Sequence, residues 1–222
     1  MRKPHAAPRQ RSSLASVDQA LSITPTPRLI RRGELPAETV ALARYLIGRI
    51  LVHDSEEGRT SGRIVETEAY VVGDASGHAF RGETRRNRSL FLDRGHAYVY
   101  FIYGCWFSLN VSSEQAGIGA GVLLRAVKPL EGTGLMARRR GTNRPRDLAR
   151  GPGRLATAFG IDARLDGMDL CAGNPLWLGE AGRPEAEIAA SIRIGITKEA
   201  HRVLRFYERG SPFVSGPASL SP

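Results

Sequence analysis

The sequence predicts a single mixed α/β (α+β) domain whose sheet is mostly antiparallel. Hairpin and short-loop signals outnumber βαβ units. The 222 residues suit one domain of ordinary size, or a large one with a tail. A composition of 41% hydrophobic and 24% charged residues supplies a packed core and is too apolar for a wholly disordered chain.

Each element has a local reason. Residues 1 to about 30 are rich in Pro, Ser, Ala and Arg without sustained periodicity. Residues 1–33 are therefore expected to form a basic, disordered tail, with the domain over 34–216 and a short C-terminal tail over 217–222. Within 37–51, Val40, Leu42, Ala43, Leu46, Ile47 and Ile50 recur at helical spacing, which predicts a helix and then a strand. Residues 63–70 read as a strand in which positions two apart share a face, so Glu66, Glu68 and Tyr70 point the same way. The polar, Gly-bearing, basic run 73–95 predicts a long functional loop with a short helical turn. Residues 97–111, apolar and broken at Tyr103-Gly104, predict a β-hairpin with Tyr103 near its tip. A loop over 117–121, a strand over 122–127 and a basic connection over 132–151 follow. A helix over 153–159 leaves a Gly-Pro-Gly turn, and two more strands are expected around 192–196 and 203–208.

Charge narrows the function classes. The formal net charge is +10, with +6 in residues 1–33, +6 in 138–154 and −2 over the remainder. Basic excess confined to a tail and one internal segment is the footprint of a polyanion partner. A general preference for arginine is the plainer alternative, since Lys3, Lys128 and Lys198 are the only lysines. No run of 18 apolar residues offers a membrane-spanning helix, and the basic start has no apolar segment behind it, so a cytoplasmic protein is expected. Cys105 and Cys171 make neither a disulfide framework nor a CxxC motif, and the five histidines lack zinc spacing. Neither a P-loop nor a dinucleotide glycine pattern occurs, so no metal and no nucleotide cofactor is expected.

Three groups of residues could carry chemistry. Glu66 and Glu68 are paired carboxylates on a strand that leads into a basic loop, where mutual repulsion would raise one pKa. A solvent-facing strand edge gives the same spacing, which leaves both readings open. Tyr98, Tyr100, Tyr103 and Trp106, with Asn110 on the second hairpin strand, lie among basic loops. Such rings can stack bases at about 1–3 kcal/mol each, although core packing accounts for most of them. Tyr103, at a Tyr-Gly turn, is the ring placed to wedge into a base step. Finally, Arg150-Gly151-Pro152-Gly153-Arg154 opens a helix, and backbone N–H groups flanked by arginine form a phosphate site.

RIVETEAY (63–70), YVYFIYG (98–104), LLRA (123–126), GPGRL (151–155), LRFY (204–207) and RGSP (209–212) resemble, in order, the successive motifs of the alkyladenine (3-methyladenine) DNA glycosylase family. The resemblance implies a curved antiparallel sheet surrounded by helices, with a protruding hairpin. It implies a monofunctional, monomeric enzyme of base excision repair acting on double-stranded DNA that contains damaged purines, without metal or cofactor. In a bacterium such an enzyme would work at the nucleoid. Glu68 would be the general base for the attacking water, a role typically worth about 10²- to 10⁴-fold. The resemblance assigns Arg125, and a backbone carbonyl at Ile196, to holding that water. Tyr70 and Tyr100 would sandwich the flipped base, His78 would contact it, Asn110 would sit near its minor-groove edge, and Tyr103 would fill the gap in the duplex. The scarcity of lysine agrees with hydrolysis rather than Schiff-base chemistry. A catalytically silent nucleic-acid-binding module is the rival from another class. A zinc deaminase lacks its HxE and PCxxC elements here.

Overall fold

The computed structural model describes residues 26–102, 104–182 and 187–221. Most of the expected N-terminal tail and Tyr103, the expected hairpin tip, lie outside the described residues.

Among the described residues the frame is a curled, nine-stranded antiparallel sheet with four α-helices. The strands are β1 (Arg28–Leu29), β2 (Ile50–Ser55), β3 (Gly58–Tyr70), β4 (Ala97–Ile102), β5 (Trp106–Ser112), β6 (Gly121–Glu131), β7 (Leu176–Glu180), β8 (Ile188–Ser191) and β9 (Arg205–Glu208). The helices are α1 (Thr39–Leu46), α2 (Thr133–Arg140), α3 (Pro145–Leu148) and α4 (Pro152–Phe159). The strand order is β1-β7-β2-β3-β6-β5-β4, and β9 pairs with both β3 and β8. This is the mixed α+β class that the sequence predicts.

β3 is the spine. Its first half pairs with β2, its second half with β9 on the same edge, and β6 runs along the other edge. From Thr60 to Ala69 nearly every residue is buried, as for a strand covered on both faces. A carboxylate in such a strand is costly unless it is partnered, so Glu66 and Glu68, both fully buried, are not a solvent-facing edge.

The helices follow from capping and apolar stripes. The Glu38 side chain accepts from the N–H groups of Val40 and Ala41 to start α1, and Leu42, Ala43 and Leu46 face the core. In α4, Leu155, Ala156, Ala158 and Phe159 are buried, and Gly160 ends the helix in the left-handed region. These residues join one large cluster with Leu109, Val111 and Leu124 of the sheet, which fixes α4 across β5 and β6.

Several expectations need correction. Residues 132–151 are not simply a connection but contain α2 and α3, whose apolar signal is weak because only Leu135, Met136 and Leu148 are buried. Residues 192–196 bend rather than extend, since the strand runs earlier, over β8, and Gly195 takes φ +78°. Packing also reaches past the expected boundaries at 34 and 216. Arg28–Leu29 pair with β7, Ile30 is fully buried, and Leu220 and Ser221 both accept hydrogen bonds from Arg205.

Candidate active site

The site begins at an irregularity in the sheet. Between Ile64↔Val127 and Thr67↔Leu124 the β3–β6 register slips and recovers, which leaves Val65 on β3 and Arg125 on β6 outside the regular pairing. Paired bulges of this kind re-aim side chains. Arg125 Nε donates to Glu66 Oε1 at 2.9 Å, Nη1 lies 3.1 Å from Glu68 Oε2, and Nη2 donates to Ser215 Oγ at 3.3 Å.

The two carboxylates differ. Burial pushes Glu66 up, but Arg125, Arg205 and the Ser215 N–H outweigh it and hold this carboxyl below its usual range. Burial also pushes Glu68 up, and there Arg125, the Ile194 N–H and the Tyr70 hydroxyl offset it only in part, so its pKa is raised. The Glu66 charge adds to that rise. Ile194 N–H donates to Glu68 Oε1 at 2.7 Å, and Tyr70 Oη donates to Oε2 at 3.1 Å. The result is one carboxylate locked in its ionised form and a neighbour with base-like character.

Tyr70, Arg125 and Ile194, the three partners of Glu68, all line a cavity of about 630 Å³. Glu68 therefore lies directly behind its wall. Part of the cavity lining is aromatic. Tyr98 and Tyr100 stack with centroids 5.4 Å apart and planes at 18°, and His78 meets Tyr100 edge-on at 4.2 Å. His78 Nδ1 is 2.8 Å from Tyr98 Oη, and burial, aided by the charge of Arg86, lowers the imidazole pKa, so the ring is neutral near pH 7. Behind Tyr70, the buried Arg193 lies 4.8 Å from the ring centroid and is ion-paired to Asp74, which braces the ring from its outer side. Asn110, opposite Tyr98 in the hairpin, completes a polar corner.

The cavity rim carries the third predicted group. Gly151, at φ +131°, turns the chain into α4, and a Cβ on Gly153 would stand 3.1 Å from Trp106. Trp106 of the hairpin thus seats on the helix start because residue 153 has no side chain. Arg150 and Arg154 also line the cavity. Arg150 Nε donates to the Val214 carbonyl at 2.6 Å, whereas Arg154 is half exposed with Asp147 4.0 Å away.

A family model described as methylpurine-DNA glycosylase matches residues 34–212. The chain belongs to the methylpurine-DNA glycosylase family. That membership makes it a DNA glycosylase, a hydrolase of N-glycosyl bonds. It is 66% identical over 191 residues to a protein of Mesorhizobium japonicum, covering 86% of this chain and 92% of that one. A Paraburkholderia phytofirmans protein is 54% identical over 189 residues, covering 85% and 89%. One from Methanoculleus marisnigri is 48% identical over 181 residues, covering 80% and 94%. All three are provisionally named 3-methyladenine DNA glycosylases.

Within this glycosylase frame, the structure brings Tyr70, His78, Tyr100, Asn110, Arg125 and Ile196 to one cavity beside Glu68, together with Arg150, Gly151, Gly153 and Arg154. Ile196 lines the wall, but the residue bonded to Glu68 is Ile194, two positions earlier. Tyr98, one of the hairpin aromatics, is buried and still lines the cavity, and the Arg193–Asp74 brace is not legible from the sequence motifs. Tyr98 alternates with Tyr100 on one face of β4, and Arg193 follows the short strand β8. Among the described residues, no three His, Cys, Asp or Glu side chains are grouped to hold a metal ion, and no helix is long and apolar enough to cross a membrane.

Proposed function

We propose that this glycosylase flips alkylated purines, 3-methyladenine and 7-methylguanine foremost, out of duplex DNA and hydrolyses the N-glycosidic bond with a Glu68-activated water. The observation that carries this reading is the raised, buried Glu68 behind the wall of an aromatic cavity. A purine alkylated on a ring nitrogen is cationic, and the electron-rich faces of Tyr70 and Tyr100 favour it. Such a base also pairs and stacks poorly, which lowers the few kcal/mol, roughly, needed for extrusion.

In the reaction, a water held by Glu68 at the cavity wall, beside Arg125, is the nucleophile. Its proton passes to Glu68 as its oxygen bonds to the anomeric carbon. The glycosidic electron pair leaves with the purine, which departs neutral because it began as a cation. Asn110 faces the minor-groove edge of the flipped purine, and Ile196 lines the same cavity. Arg150, Arg154 and the backbone N–H groups of Gly151 and Gly153 take backbone phosphates. Tyr103 fills the vacated base step, a role that rests on the family resemblance. The enzyme works as a monomer in the cytoplasm, at the nucleoid in a bacterial host, and needs no metal or cofactor. Hypoxanthine and 1,N6-ethenoadenine are the neutral lesions the same cavity would take.

The test is single-turnover base release from duplexes carrying one 7-methylguanine, hypoxanthine or ethenoadenine, with chelator present. Release from the methylated duplex supports the reading, and release from the other two extends its range. Tight binding without release from any duplex would favour the silent binding module.

A further inference from the structure

Arg205 of β9 is the largest fully buried side chain among the described residues. A guanidinium carries five N–H donors. Here they meet five acceptors: Glu66 Oε1 at 2.7 Å, Ser191 Oγ at 2.7 Å, Leu220 O at 2.8 Å, Ser221 Oγ at 2.8 Å and Ser215 O at 3.0 Å. Three of these five come from residues 215–221, the last part of the chain described. Ser215 reaches further still. Its N–H donates to Glu66 Oε2 at 2.6 Å and its Oγ accepts from Arg125, so this one residue touches Glu66, Arg125 and Arg205.

Glu66 itself does not line the cavity, and both its oxygens are occupied: Oε1 by Arg125 and Arg205, Oε2 by Ser215. Of these partners only Arg125 lines the cavity, whereas all three partners of Glu68 do. What Glu66 does hold is Arg125 Nε, and with Ser215 Oγ on Nη2 this fixes the plane of a rigid fork, leaving Nη1 aimed at Glu68. We infer that Glu66 and Arg205 are positioning residues for the Glu68–Arg125 pair, and that the C-terminal segment 215–221 is the strap that completes them. The inference rests on the proposed hydrolysis at Glu68. It gives the short C-terminal segment a part in the reaction, although no residue of it meets the base.

The groups facing Glu68 are Arg125 from β6, Glu66 and Tyr70 from its own strand, and the Ile194 N–H. Arg205 acts on it through Glu66, and the Arg193–Asp74 pair stands behind Tyr70. Removing the Glu66 charge takes a like charge from beside Glu68, so Glu68 ionises at lower pH.

The experiment measures single-turnover release from a 7-methylguanine duplex across pH, with DNA affinity and melting temperature, for the full chain, Glu66→Gln, Ser215→Ala and a deletion of residues 217–222. For Glu66→Gln the plateau rate should fall by about 10²-fold, as for a misplaced catalytic group, and the acid limb should move to lower pH while DNA affinity is kept. The deletion, which removes two acceptors from Arg205, should lower the plateau with affinity unchanged, and Ser215→Ala should do so by a smaller factor. A purely structural ion pair would change melting temperature and leave the acid limb in place. If the wild type releases base while Glu66→Gln keeps its plateau and limb, the inference is overturned. Should that variant not fold, a wild-type plateau in both the deletion and Ser215→Ala overturns it. Absence of release by the wild type would instead overturn the hydrolytic reading, and this inference with it.

Discussion

Arg125 Nη1 lies 3.1 Å from Glu68 Oε2, yet this carboxylate is held above the ordinary glutamate range. An opposite charge at that distance normally favours ionisation. Two features work against it. Glu68 has no contact with solvent, and the guanidinium is shared with Glu66, whose own charge opposes a second anion. Arg125 thus serves both carboxylates, and burial leaves Glu68 the better proton acceptor.

The pH dependence follows from that direction. The reaction needs ionised Glu68, so the rate should fall as pH drops through its pKa, with the midpoint above the unperturbed glutamate value of 4.5. Tyr70→Phe keeps the ring but removes a donor to the ionised carboxylate, so the limb should move to higher pH, opposite to Glu66→Gln. Single-turnover rates across pH check both, and a Tyr70→Phe limb displaced downward would contradict the assignment.

DNA backbone contact can be read from salt dependence. Arg154 is half exposed at the cavity rim with only a 4.0 Å approach to Asp147. Arg154→Ala should reduce the slope of log K against log salt by about 1, with affinity lowered alike for damaged and undamaged duplexes. An unaltered slope would place the phosphate contacts elsewhere.

Stability should respond sharply at Phe159, the fully buried end of α4. Phe159→Ala should cost about 3–5 kcal/mol in denaturant unfolding. A loss below about 1 kcal/mol, the scale of a surface change, would mean that α4 is not held as described.

Much of this arrangement was legible in the sequence, and the gaps have physical causes. The hairpin was read from two apolar β-branched runs around Tyr103-Gly104, and β4 and β5 form there. α4 was read from its Gly-Pro-Gly start and apolar stripe. α2 was not, because its last turn is Arg138, Arg139 and Arg140 and it buries little. Spacing put Glu66 and Glu68 together but could not tell a solvent-facing edge from a buried spine. That depends on β9, which comes from more than 130 residues further along the chain and covers β3 at these positions. The bulge that aims Arg125 and the strap on Arg205 are likewise long-range features, with no local signature. The Ile194 N–H bond to Glu68 has no local signal either, because it depends on how 192–196 bend at Gly195 against β3.

The central claim is that Glu68 activates the water. The most direct measurement is single-turnover release of 7-methylguanine from duplex DNA by the wild type and by Glu68→Gln, with DNA affinity measured in parallel. Glu68→Gln keeps the shape and removes the base, so release should fall by about 10²- to 10⁴-fold while affinity for the damaged duplex is retained. Release at the wild-type rate by Glu68→Gln would contradict the account.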